Sequence, residues 1–457
     1  MAPFTDNVHE LDRTDVEANY MPGGVAYDRF FTCPLDYNNP QKKSIQVFVR
    51  HLVSSVSVDK HKSPFALYLQ GGPGFQSPYQ TNLSSGWVGV LLSQGYQVLL
   101  LDQRGTGLST PINAQSQVLK LPTLEEQVEY MKCFRADSIV KDCEIIRKIL
   151  TQGRSPNDSK LTLLSQSFGG FCATTYLSFY PEGVDKVVIT GGLPPLVKDP
   201  VDVYSSLIPR MALLNERYYS LYKRDIERVY QIAEYLTNNK VVLPGGGIMT
   251  LRRFQQFGLA FGGGGGFSSV HKIVLDCCYD LDTIQRFSYK TLLELESFNG
   301  FETNVIYTIL HEPIYCEEGV ASNWACERAI QQNSSYKSQL NFEEVKLTGS
   351  PLFFTGEMIF SWMAEDYPEI GKFKELFFAL AEHDKWSKLY DRDALRRNTV
   401  PVSAVCYYDD PYVALNLSQE CASTINGSKI WITNEYLHNG LHVDNQVITK
   451  LLNMLSK

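Results

Sequence analysis

LLSQSFGGF, residues 163–171, is the stretch on which the reading of the chain turns. An apolar run ends on a bare serine, Ser167, flanked by small residues, and the helix-like FCATTYLSFYPEG follows at once. A turn that only ended a strand would do as well with Asn-Gly. This one carries a hydroxyl at its tip. SQSFGG matches the strand–turn–helix elbow G-x-S-x-G that lifts a nucleophilic serine out of a sheet, with Ser165 in place of the first glycine. That position needs a small side chain because strand and helix backbones pass closely there, and serine meets the need with a little more crowding.

Working outward, the neighbouring segments alternate between strand and helix. GYQVLLLDQRG (95–105) is an almost continuous apolar run ending in charge, the pattern of a strand buried on both faces. Thr123 to Leu150 carries apolar residues at steps of three and four, with one longer step, and reads as one long helix. Leu161–Leu164 and KVVITGG (186–192) read as further buried strands. This alternation predicts a parallel α/β sheet with right-handed crossovers. Ahead of it, Tyr27–Leu35, Ile45–Leu52 and Pro64–Gln70 are strand-like. From about residue 197 to 345 helical patterns dominate, interrupted by LAFGGGGGF (259–267), whose glycines exclude a stable helix interior and point to a hinge, a close-approach loop or a plain connector. No GK[ST] follows them, so they are not a phosphate loop. The sheet is expected to resume at PLFFTG (351–356), then PVSAVCYYDD (401–410) and KIWITNE (429–435). The domain reading is therefore a core over 1–196, a helical cap over 197–345 and the rest of the core over 346–457.

The chain has 457 residues, 44% hydrophobic and 20% charged, with a formal net charge of −8. That is ordinary globular composition without a basic stripe, which argues against nucleic acid or an anionic membrane as partner. No apolar run approaches the ~20 residues that span a bilayer. The opening MAPFTDNVHELDRT lacks the pattern of a secretory signal. The ten cysteines are scattered, with no CxxC pair, and read as reduced thiols of a cytoplasmic protein.

In an open parallel sheet, ligands bind beyond the carboxyl ends of the strands. Three such ends are unusual: QGGPGFQSP (70–78), LDQRGTGLS (101–109) and SQSFGG (165–170). A serine hydroxyl needs a base beside it and an oriented carboxylate behind the base. Asp410, past the apolar run and beside Pro411, is the expected acid, with Asp409 the alternative. His438, directly after the last strand, is preferred as base over His442. The two histidines have a metal-ligand spacing, but Asn439-Gly440 between them breaks a helix and no HExxH glutamate is present, so no metal and no cofactor are expected. His9, His51, His61, His271 and His383 read as ordinary surface or core histidines. Attack on a carbonyl creates an oxyanion that fixed N–H donors must meet, and Phe168 with the Gly71-Gly72 turn would supply them. Arg104 reads as a structural salt bridge tying loops together.

QGGPG, DQRGTGLS, SQSFGG, YYDDPYV and NEYLHNGL occur in the order seen in proline iminopeptidases, the prolyl aminopeptidase family of serine peptidases with the α/β-hydrolase fold. The chain resembles the longer form of that family, with a large helical cap, from about residue 40 to its end. The resemblance implies Ser167 as nucleophile, Asp410 as acid, His438 as base, and removal of N-terminal proline from peptides. It also implies glutamates that bind the substrate's secondary ammonium. Glu312 in LHEPIYC and Glu357 in FTGEMIF match by context, and Phe75 would pack on the pyrrolidine ring. Three positions depart from the family pattern: QGGPG replaces HGGPG, Ser165 replaces glycine, and Pro411 stands where methionine is frequent. The competing readings are an esterase or broader aminopeptidase of the same fold, and a hydrolase-fold binding protein without turnover.

Overall fold

The computed structural model describes residues 17–56 and 62–456. The signal-like or unlike character of the first residues, and His9 and His61, lie outside them. Nine strands form one sheet: β1 Ala18–Met21, β2 Gly24–Pro34, β3 Ser44–Ser54, β4 Phe65–Leu69, β5 Gln97–Asp102, β6 Leu161–Gln166, β7 Val184–Thr190, β8 Val402–Tyr407 and β9 Ser428–Thr433. Their order is β1-β2-β3-β5-β4-β6-β7-β8-β9. The first three are antiparallel to their neighbours, and the remaining six are parallel.

The near-continuous apolar runs of β4, β5, β6 and β8 follow from burial on both faces. Successive side chains still alternate between two cores. Leu99 and Leu101 of β5 and Leu67 and Leu69 of β4 join one, while Val98, Leu100, Ala66 and Tyr68 join the other. The parallel order puts the carboxyl ends of β4, β5, β6, β8 and β9 at one edge of the sheet, and all the sequence motifs stand at those ends.

Two expectations are corrected. The long helix breaks into Leu124–Lys132 and Ala136–Leu150, with Arg135 extended between them at ψ 176°. The longer step in the apolar pattern, from Phe134 to Ile139, spans that break. The second correction concerns PLFFTG, which forms no strand. Its backbone is satisfied inside the helical region: Asn215 both donates to Phe354 O (2.9 Å) and accepts from Phe354 N (2.7 Å), and Thr355 N donates to Gln255 O (2.8 Å). Side-chain amides take the place of a neighbouring strand, so the apolar pattern looks strand-like without a ladder. Between β7 and β8 the described chain contributes no strand to the sheet, which resumes with β8 at Val402.

The insertion's apolar residues, from Val203 to Leu395, belong to the same core cluster as Leu67, Leu99 and Leu163. Insertion and sheet therefore share one apolar interior on that face. All ten cysteines are unpaired, and all but Cys133 are buried. Among the described residues, no helix is long and apolar enough to cross a membrane.

Candidate active site

Ser167 sits between β6 and helix Phe168–Phe179 at φ 53°, ψ −126°. Few non-glycine residues accept such a conformation, and it costs on the order of 1–3 kcal/mol. The surroundings enforce it. Ser167 N donates to Thr190 O (2.9 Å), and Gly170 N donates to Ser167 O (2.7 Å). A Cβ at Gly169 would collide with Leu69 O, and one at Gly170 with Gly192 O. The two glycines let the helix press onto the strands, which forces the sharp turn. Ser165, the departure from the elbow pattern, is fully buried and spends its hydroxyl on Val188 O (3.0 Å). A strand carbonyl thus satisfies the extra polar atom.

His438 Nδ1 pairs with Asp410 Oδ2 at 2.7 Å. The other Asp410 oxygen accepts from Tyr412 N (2.8 Å) and Val413 N (3.1 Å), and both side chains are buried. Asp409 turns away to Arg210 (2.6 Å) and Arg217 (2.7 Å) on helix Val201–Leu221. His442 is exposed on the following turn of helix. The imidazole is therefore paired on one side, while its Nε2 has no hydrogen-bond partner among the described residues. Burial disfavours the imidazolium, but the Asp410 carboxylate and the more distant Glu357 outweigh it and raise the His438 pKa above the ordinary value. Ser167 and His438 both border the Gly191-Gly192 turn after β7, where a Cβ at Gly191 would lie 3.3 Å from His438 Nδ1 and one at Gly192 would strike the Ser167 backbone.

The turn after β4 lies against the serine. A Cβ at Gly71 would stand 2.9 Å from Ser167 Cβ and 3.6 Å from its Oγ. Gln70, where the family pattern has histidine, braces this turn: its Oε1 accepts from Tyr68 Oη (2.6 Å) and from Gly71 N (3.1 Å). The Gly71 N–H is thus engaged, contrary to its expected role as an oxyanion donor, and Gly72 is the glycine of the pair without that tie. The Gly72–Pro73 peptide is cis. Phe168 N belongs to the first helical turn, whose N–H groups lack intrahelical acceptors.

LDQRGTGLS is scaffolding for that turn. Asp102 accepts from Ser77 N and from Leu108 N, both at 3.0 Å, and Gln103 Nε2 donates to Gln70 O (2.9 Å). Arg104 is buried and uses every side of its guanidinium, on Asp142 and on the carbonyls of Pro34, Leu35 and Cys133.

The two expected glutamates stand differently. Glu357 is half-buried and accepts from Tyr307 Oη (2.8 Å). Tyr307 in turn meets Phe75 edge-on at 5.2 Å. Burial pushes the Glu357 carboxyl up to about 7, with His438 and the Tyr307 hydroxyl opposing that rise. Glu312 is buried and gives its oxygens to Ala325 N (3.0 Å) and Cys326 N (2.9 Å) at the start of helix Ala325–Gln332. Burial takes its carboxyl to about 7 as well. No hydrogen bond joins Glu312 to Phe75, Tyr307 or Glu357. Both carboxylates act on the buried Tyr204 and Tyr315 hydroxyls lying near them.

Sequence reasoning missed Tyr307, Tyr412 and Gln166. The Gln166 Nε2 donates to His438 O (3.0 Å). Tyr412 lies two residues past Asp410, within reach of a closer reading of YYDDPYV. Tyr307 carries no local signal that separates it from a core aromatic.

Residues 67–226 match the family model of the alpha/beta hydrolase fold. The chain is 39% identical over 439 residues to a proline iminopeptidase of Aeromonas sobria, an alignment that covers 95% of this chain and 98% of the relative. It is 37% identical over 411 residues to a proline iminopeptidase of Aspergillus aculeatus, covering 90% of this chain and 89% of the relative. Identity of that level over nearly the whole of both chains means that the chain belongs to the proline iminopeptidase family of the α/β-hydrolase fold.

Proposed function

We propose that the protein is a serine aminopeptidase that releases proline from the N-terminus of peptides through an acyl-enzyme. One observation carries the substrate side of this reading: a half-buried carboxylate, Glu357, held by Tyr307 and close enough to His438 for each charge to act on the other. A carboxylate that burial has pushed toward neutrality is a good receptor for a cation. The substrate ammonium returns the electrostatic stabilisation that water supplied, and its N–H groups make charge-assisted hydrogen bonds.

In this reading Ser167 Oγ attacks the prolyl carbonyl carbon and passes its proton to His438 Nε2. Asp410 holds the imidazole in the required tautomer and stabilises the imidazolium. Phe168 N–H and Gly72 N–H receive the oxyanion, while Gly71 keeps the approach to the serine clear. His438 then protonates the departing amide nitrogen, and water deacylates the serine by the reverse proton path. Phe75 and Tyr307 form the apolar wall for the pyrrolidine ring. Glu357 is the primary acceptor for the ammonium, and Glu312 is a second carboxylate behind Tyr204 and Tyr315. The ten unpaired thiols support a cytoplasmic setting.

Hydrolysis of a chromogenic proline anilide tests the proposal, with Ser167→Ala and the N-acylated anilide as controls. Cleavage of the free amine only, abolished in Ser167→Ala, is the expected result. Cleavage of simple esters with no action on proline anilide would overturn the substrate and leave the hydrolase.

A further inference from the structure

The loop that carries His438 is tied to the insertion as well as to the sheet. On the sheet side, Gln166 Nε2 donates to His438 O (3.0 Å). On the insertion side, His438 N donates to Gly262 O (2.8 Å). Gly262 is the first of the five consecutive glycines, so this run is a place of close approach. Tyr412 joins the two sides. Its backbone N–H holds Asp410 (2.8 Å), its ring meets the His438 ring edge-on at 4.9 Å, and its hydroxyl donates to Leu259 O. The ring lies flat against the bare Cα of Gly262: a Cβ there would fall 2.6 Å from Tyr412 Cε1 and closer still to Cζ and Cε2. The φ of Gly262 is not in the left-handed region, so the need for glycine is steric rather than conformational.

We infer that Gly262 and Tyr412 are a positioning pair for His438 and Asp410. The insertion, through them, sets the base against the nucleophile. Neither residue touches the reacting atoms. Each fixes a group that does, and a shift of about 1 Å in such a group costs on the order of 100-fold in rate. The inference rests on Ser167, His438 and Asp410 acting together.

The test adds one methyl group. Gly262→Ala forces the Tyr412 ring off its seat. The expected result is a fall in kcat of roughly 100-fold with KM within about threefold, and an equally slowed labelling of Ser167 by a fluorophosphonate. Gly263→Ala is the control, because its Cβ would meet only Ala260 O at 3.6 Å, and it keeps the parent rates. Removing the ring abolishes the conflict, so Gly262→Ala adds nothing further on a Tyr412→Ala background. If Gly262→Ala does not fold, Tyr412→Leu carries the test, with the same loss expected in kcat and in labelling. Parent kcat in a folded Gly262→Ala, a loss confined to KM, or an equal loss in Gly263→Ala would overturn the inference. Fluorophosphonate labelling does not depend on the substrate. Parent protein that labels while proline anilide is ignored therefore sinks only the substrate reading. Parent protein that does not label sinks the triad and the pair together.

Discussion

Replacing Glu357 with glutamine keeps the shape and the Tyr307 hydrogen bond but removes the charge. Burial moves this carboxyl from 4.5 to about 7, so ionising it in the free enzyme costs about 3 kcal/mol more than in water. A bound ammonium recovers that cost. Charge-assisted hydrogen bonds of this kind contribute about 1.5–3 kcal/mol, which predicts a roughly 10- to 150-fold loss of kcat/KM for proline anilide in Glu357→Gln. The same change leaves slow hydrolysis of an uncharged ester within a fewfold. The pH profile carries the sign. Below about 7 the parent carboxyl is protonated and cannot pair with the ammonium, so kcat/KM rises as pH climbs through 7. Glu357 also helps to raise the His438 pKa, so the variant's acidic limb moves to lower pH, toward an ordinary histidine. The assay is steady-state hydrolysis of proline anilide from pH 5 to 9 with ionic strength held constant. Unchanged kcat/KM, or a loss of equal size on the neutral ester, would refute the assignment of the charge to substrate binding.

Asp410→Asn should lower kcat by about 10⁴, whereas Asp409→Asn, which loses only its partly exposed pairs with Arg210 and Arg217, stays within a fewfold of the parent in the same assay. Gly71→Ala should fold normally and slow fluorophosphonate labelling by about 100-fold, because its methyl carbon would press on Ser167 Cβ at 2.9 Å. Arg104→Met strands the buried Asp142 carboxylate and should reduce stability in urea titration by about 3–5 kcal/mol, a test of the scaffold independent of catalysis.

The sheet and its motifs were legible because each depends on a local backbone exception. Gly169 and Gly170 admit the helix to the strands, and Ser167 bears the strain between them. Asp410 declares itself by standing two and three residues before the N–H groups it accepts from, in a turn that Pro411 helps to shape. The insertion was much less legible, for the opposite reason. Phe354 looks like a strand residue because it lies in a short apolar run, and what satisfies its backbone is Asn215, 139 residues earlier. No local pattern announces such a partner. Phe134 to Ile139 did hold a local clue, an irregular step at the helix break, but a step of five reads as imperfection until Arg135 is seen extended.

The same contrast explains how the site divides its labour. The proposed nucleophile, Ser167, and the proposed oxyanion turn belong to the sheet, and contacts near in sequence or between adjacent strands hold them. Tyr307, Glu357 and Gly262 belong to the insertion and reach the site only through tertiary packing. On the proposed assignment, the sheet half alone could attack a carbonyl, but the carboxylate assigned to the free ammonium lies outside it. In the proposed reading the selective charge, Glu357, comes from the same insertion that holds the backbone of His438, and the two halves share one apolar core. A mutation that loosens the insertion should therefore not yield an efficient enzyme that has merely lost its preference for free proline. It should weaken recognition and proton transfer together.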